Sequence, residues 1–263
     1  MIDPLPPELR TSLASELRSC LRRHVLNCWF PHAIDPRGGF VEDFDDAWRL
    51  GPSRERHVVY QARLTWTAAE ASRREPDPRE VWAERVRHGV TFLESKLWDQ
   101  GRGGFYWSID EKGEPTRAEK HVYGNAFAIY ALATAHDADP RALPLARKAF
   151  QWLEDHAHDD AHKGWFEALT LDGAVKPAES GKSDCIGTAL GLKSMNAHIH
   201  LLEALTALYG VWPDPLVKTR LAEVHALVRD TIVQPEGFQR LFFQPDWTQI
   251  GRASCRERVC LAV

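Results

Sequence analysis

Apolar residues recur at helical spacing along most of the chain. Leu13, Leu17, Leu21 and Cys28 keep that spacing, as do Trp82, Val86, Val90, Leu93 and Leu97. Ala146, Phe150, Leu153 and Ala157 repeat it, and so do Val217, Leu221, Val224, Val228 and Ile232. Each run predicts an amphipathic helix with one face in a core. Pro7, Pro78, Pro144 and Pro215 sit near the starts, where a missing N–H does little harm. Between the helices one phrase returns. DPRGGF ends at Phe40, DQGRGGF at Phe105, DAHKGWF at Phe166 and PEGF at Phe238, with separations of 65, 61 and 72 residues. After the second phrase, Phe105, Trp107 and Ile109 alternate up to the turn DEKG, which reads as a short β-hairpin. A period this long with a fixed turn predicts an array of helical hairpins, stacked as an open solenoid or closed into a ring. A closed ring of six would need roughly 390 residues, so the chain is expected to cover about two-thirds of one.

Composition narrows the class. With 263 residues, 44% of them hydrophobic and 27% charged, the chain can bury a sizeable core and remain a water-facing globule. The net charge of −4 with both signs interspersed argues against nucleic acid or an anionic membrane as partner. The start MIDPLPPELR lacks the basic and apolar regions of a secretory signal, and no run is long enough for a membrane span. Cys20, Cys28 and Cys185 are scattered, and Cys255 and Cys260 lie near the end. An odd, unpatterned set predicts free thiols and a cytoplasmic protein.

Several polar residues interrupt apolar helices. In SMNAHIHLLEA, Asn196 and His200 are four apart and share a face, Glu203 returns to nearly the same side, and His198 points away. The H-x-H spacing does not offer two metal ligands on one helical turn, and no metal is expected. His156, His158 and His162 lie in a charged stretch and are expected to be solvated. In YQARLTWTAAEA, Arg63 has Tyr60 and Trp66 three residues to either side, so it calls for an acid, an anion or a ligand. KHVYGNAFAIYAL sets Tyr123 and Phe127 four apart. Each of these residues could simply pack or pair. All three segments nevertheless fall on a helix of equal rank in successive repeats, and so could face one axis.

QARLTW, GGFYWSIDEKGEP, KHVYGNAFAIYAL, GWFEA, KSMNAHIHLLEA and LFFQPDWT resemble the N-acylglucosamine 2-epimerase superfamily. The similarity is greatest to its cellobiose 2-epimerases, with mannose 2-epimerases close by, and runs from about residue 10 to Thr248. It implies an all-α (α/α)6 barrel, or toroid, of helical hairpins with short β-hairpins in the connecting loops. It also implies that Arg63 steadies the oxygen of an enediolate, that Asn196 and His200 hold the opened sugar's hydroxyls, and that Tyr123 flanks the reacting end. Arg63 and His200 are thus the candidate catalytic residues, and Tyr123 and Asn196 the candidate substrate-binding ones. The implied reaction inverts C2 of a reducing sugar with no cofactor. The aldehyde form acidifies the C2 proton, a base removes it, and the proton returns to the opposite face.

The family's two main catalytic histidines come after the DWT phrase, where this chain reads GRASCRERVCLAV. Three Arg and two Cys in thirteen residues break the preceding pattern and read as translated adapter or vector sequence. The expected division is therefore a partial barrel over 1–250 and a non-native tail over 251–263. A partial ring is expected to expose apolar helix faces, to aggregate and to be inactive. Its partner is a disaccharide or hexose, and its oligomeric state is open. The competing readings are an aldose–ketose isomerase of the same fold and a helical-repeat module that binds sugar without chemistry. A glycoside hydrolase would need paired acids in the cleft, whereas the Asp and Glu here are expected in loops and on helix surfaces.

Overall fold

The computed structural model describes residues 5–75 and 79–250. In it a buried cation meets a buried aspartate behind each of the first three glycine turns. Lys120 Nζ donates to Asp99 Oδ2 at 2.8 Å and to the carbonyls of Gly103 and Leu171 at 2.5 and 2.7 Å. Lys193 Nζ repeats the arrangement with Asp159 Oδ2 at 2.7 Å and the carbonyls of Lys163 and Pro245 at 2.6 and 2.8 Å. In the first unit Arg56 Nη2 donates to Asp35 Oδ2 at 2.8 Å. Burial lowers the affinity of the Lys120 ammonium for its proton, against the attraction of Asp99. Burial also pushes Asp99 up, but Lys120 and the amides of Arg102 and Gly101 outweigh it and hold it low.

These anchors set out a regular succession of helices. α1 (Pro7–Cys20) runs through a wide turn, Leu21–Leu26, into α2 (Asn27–Ala33). Then follow α3 (Val58–Arg74), α4 (Arg79–Phe92) with a wide last turn over Leu93–Leu97, α5 (Val122–Ala135) and α6 (Ala142–His156). α7 (Met195–Val211) and α8 (Pro215–Leu227), the latter extended by Val228–Ile232, complete the described arc. α3, α5 and α7 pack side by side as an inner layer, and α4, α6 and α8 lie behind them. α5, between two inner neighbours, is apolar nearly all round and almost wholly buried.

Two-residue strands tie each unit to the next. β1 (Arg56–His57) pairs with β2 (Ser108–Ile109), β3 (Lys120–His121) with β4 (Ala168–Leu169), and β5 (Lys193–Ser194) with β6 (Phe242–Phe243), all antiparallel. The cation thus stands one strand before its inner helix, in register with the following unit's hairpin. The expected hairpin around DEKG closes with Ile109 opposite Pro115.

The turn phrases need glycine for two reasons. Gly104 has φ +72°, and a Cβ there would lie 2.7 Å from the Trp152 ring; Gly164 has φ +73°, with Trp247 at 2.5 Å. The aromatic residue after each of the first three turns is sealed in, and its N–H reaches an inner helix, whereas Phe238 after the fourth is exposed. Phe40 N donates to Gln61 Oε1 at 2.7 Å, Phe105 N to Asn125 Oδ1 at 2.9 Å, and Trp165 N to His198 Nε2 at 3.1 Å.

One sequence expectation needs correction. Leu9, Leu13, Leu17, Leu21 and Val25 form an exposed stripe along α1 and its extension, because none of the described helices covers it. Helical spacing marks an apolar face but does not supply its partner. Pro144 lies inside the first turn of α6, where its missing N–H is still tolerated, while Pro7 and Pro215 begin their helices. Pro78 and the tail 251–263 lie outside the described residues.

Candidate functional site

The cation that opens each inner helix also sets its register. Three residues after Arg56, Lys120 and Lys193 stand Val59, Tyr123 and Asn196; seven after stand Arg63, Phe127 and His200; ten after stand Trp66, Tyr130 and Glu203. Neighbouring helices bring the middle row together. The Arg63 guanidinium lies 4.7 Å from the Phe127 ring centre, and Phe127 lies 4.5 Å from the His200 ring. Tyr123 meets Phe127 at 5.0 Å and His200 edge-on at 5.1 Å. Trp66 and Tyr130, 5.6 Å apart, close the row below. Arg63 is exposed and Tyr123, Asn196 and His200 are half-buried; ring contacts join Arg63, Tyr123 and His200 through Phe127, and Asn196 stands one helical turn before His200.

Arg63 has no carboxylate within ion-pair reach among the described residues, which removes the acid pairing weighed for it. Of the trio on α7, His200 Nδ1 meets Glu203 Oε2 at 2.7 Å, but no hydrogen bond joins Asn196 to either among the described residues. The carboxylate can only accept, so the neutral ring carries its proton on Nδ1 and keeps Nε2 as an acceptor. His198 points away, as its spacing implies. It is fully buried, bonded to Ser194 O at 2.7 Å, and lowered to about 4 by burial. His158 corrects the expectation of a solvated cluster. Its side chain is 2% exposed, with Nε2 2.9 Å from Glu223, whereas His162 is exposed.

Behind the face lies a group that the sequence did not reveal. His121, Glu167 and Asp184 place donor atoms within 4.8 Å of one another. Two of them are acids away from solvent, so not all the acids occupy surfaces. His121 caps α5 by accepting the Tyr123 N–H at Nδ1, 3.1 Å away. Nε2 therefore carries the ring proton and faces Asp184 Oδ2 at 3.1 Å. A protonated nitrogen is a poor metal ligand, and both Glu167 oxygens are already engaged by Ser194. The donor set suits helix capping better than metal binding.

Burial pushes Glu167 up to about 7, against the pull of His121 and Ser194. The folded chain then holds a proton that the unfolded chain releases near 4.5, so this contribution to stability is complete below that pH and lost as pH rises through 7. His198 acts oppositely, with stability lost as pH falls from 6.5 through 4. Glu167→Gln removes only the first effect. From about pH 5 to about pH 8, its unfolding free energy relative to wild type should shift in the variant's favour by up to about 3 kcal/mol. Urea unfolding measures this, and a pH-independent difference would contradict it.

The comparisons follow the same geometry. The family model described as N-acylglucosamine 2-epimerase (GlcNAc 2-epimerase) matches residues 38–259. A cellobiose 2-epimerase of Bacteroides fragilis is 32% identical over 240 residues, which cover 89% of this chain and 60% of that protein. The solved cellobiose 2-epimerase of Spirochaeta thermophila is 33% identical, with a TM-score of 0.80 over 94% of this chain and 61% of the other. That of Bacillus thermoamylovorans is 26% identical, with a TM-score of 0.81 over 91% and 61%. The chain spans about 60% of the length of these relatives. Its inner and outer helices form part of the (α/α)6 barrel. The chain belongs to the N-acylglucosamine 2-epimerase family.

Proposed function

We propose that the chain is the substrate-holding part of a carbohydrate 2-epimerase acting on a cellobiose- or mannose-type reducing sugar. The observation that carries this reading is the convergence of Arg63, Tyr123 and His200 on one open face, with Arg63 lacking an acid partner among the described residues. An unpaired guanidinium beside aromatic rings suits an oxygen that becomes negative only during reaction, as in an enediolate. His200 Nε2 accepts a sugar hydroxyl or exchanges a proton with it. Asn196 offers both a donor and an acceptor to a neighbouring hydroxyl, and Tyr123 bounds the reacting end. Inversion at C2 needs proton transfer on two faces, and this face supplies one histidine. The remaining proton-transfer groups are assigned to the part of the relatives' length outside this chain.

No helix among the described residues is long and apolar enough to cross a membrane. The free thiols of Cys20, Cys28 and Cys185 fit a reducing, cytoplasmic setting. The test is proton NMR of cellobiose and mannose incubated with the chain in deuterated buffer. The expected result is sugar binding without C2 inversion. Inverted sugar at C2 would contradict the inactivity of this chain, and fructose from mannose would replace the epimerase reading with an aldose–ketose isomerase. Binding that is indifferent to His200→Ala would favour a non-catalytic sugar module.

A further inference from the structure

Glu167 lies behind the sugar-facing side rather than on it. Its side chain is 2% exposed. Oε2 accepts the Ser194 hydroxyl at 2.9 Å, and Oε1 accepts the Ser194 N–H. Ser194 is the cap of α7, its Oγ accepting the Ala197 N–H at 3.1 Å. The turn so fixed carries Asn196, and the next carries His200. Two residues after Phe40, Glu42 stands as Glu167 does after Trp165, and it accepts the N–H of His57, the cap residue of α3, at 2.6 Å. The repeat therefore shows this position serving an inner-helix cap twice. In the third unit the acid is sealed in, and His121, the cap of α5, closes over it.

We infer that Glu167 is a positioning residue for the sugar-facing side of α7, acting through the Ser194 cap. The inference rests on the function proposed above. In the carboxylate form both oxygens accept, the Ser194 hydroxyl proton is committed to Oε2, and the Oγ lone pair remains for Ala197. In the acid form Oε2–H becomes a donor, the serine proton must turn away, and the cap loosens. The groups facing Glu167 are His121 from the start of α5, Asp184 from the 183–189 loop and His198 from α7, whose Nδ1 is 3.9 Å away. Lys176, from the hairpin after β4, borders the same small cavity and pairs with Glu119. Because burial moves Glu167 up to about 7, the change of form falls within an accessible pH range.

The test follows amide-exchange protection of Ala197 and His198 by NMR, together with cellobiose and mannose binding, between about pH 6 and pH 8.5. Wild type should gain protection and affinity in parallel as pH rises, by about fivefold to tenfold, the usual strength of a helix cap. Glu167→Gln presents an amide donor in place of the acid and should keep the fold, remain in the loosely capped state and show no such step. Ser194→Ala should lose the step with Glu167 still present, and Ser194→Thr should restore it. Identical protection and binding profiles for wild type and Glu167→Gln would overturn the inference, as would a step that persists in Ser194→Ala. A protection step with no sugar bound at any pH would overturn the proposed function while upholding the cap coupling.

Discussion

Lys120→Met is expected to destabilise the chain by about 3–5 kcal/mol, a large share of the whole stability of a typical domain. The Lys120 side chain is fully buried and that of Asp99 is 6% exposed, so removing the ammonium leaves an unpaired carboxylate where water has little access. The carbonyls of Gly103 and Leu171 lose their donor in the same step, and with it the link from the second turn to the third unit's hairpin. A melting point lower by on the order of 10 °C should accompany the loss. Lys193→Met should behave alike, because Asp159 and Pro245 hold the same places one unit later. Changing Asp99→Leu together with Lys120→Met should recover part of the stability, since an apolar pair leaves no charge stranded. A loss below about 1 kcal/mol for the single variant would mean that water reaches Asp99.

Arg63→Met should act on binding alone. The guanidinium is exposed, lies over Phe127 and has no acid partner among the described residues, so the fold gives up only a surface cation–π contact of about 0.5–1 kcal/mol. Sugar affinity should fall on the order of 10- to 100-fold, the worth of one hydrogen bond from a charged donor. Calorimetric titration and thermal melting separate the two effects. An unchanged affinity would move the sugar away from α3.

The helical hairpins and their turns were legible because their causes are local. Helical periodicity marks an amphipathic face, and a turn position that combines φ near +70° with a ring pressed against it, as at Gly104 and Gly164, writes itself as glycine. The anchors were not legible, because Lys120 and Asp99 are 21 residues apart and Lys193 and Asp159 are 34 apart. The polar residues that bind the turns differ in identity, being Gln61, Asn125 and His198, although each stands five after its cation. Aligning the chain on Arg56, Lys120 and Lys193 would have found them, and would have placed Arg63 and His200 in one row. The exposed stripe of α1 shows the opposite limit, since the periodicity was sound while the covering partner lay beyond anything that a local pattern encodes. Nothing in the sequence singled out Glu167, because the Ser194 cap that it bonds is 27 residues away.

The central claim is that residues from separate inner helices hold one sugar, and a double-mutant cycle on cellobiose affinity tests it most directly. Wild type, Arg63→Met, His200→Ala and the double variant would be titrated under one set of conditions. The account predicts measurable binding by wild type, a loss in each single variant, and a double loss smaller than their sum, because both side chains grip the same reacting end. Absence of binding by a well-folded wild type would contradict it. So would affinities that neither substitution changes, or losses that simply add.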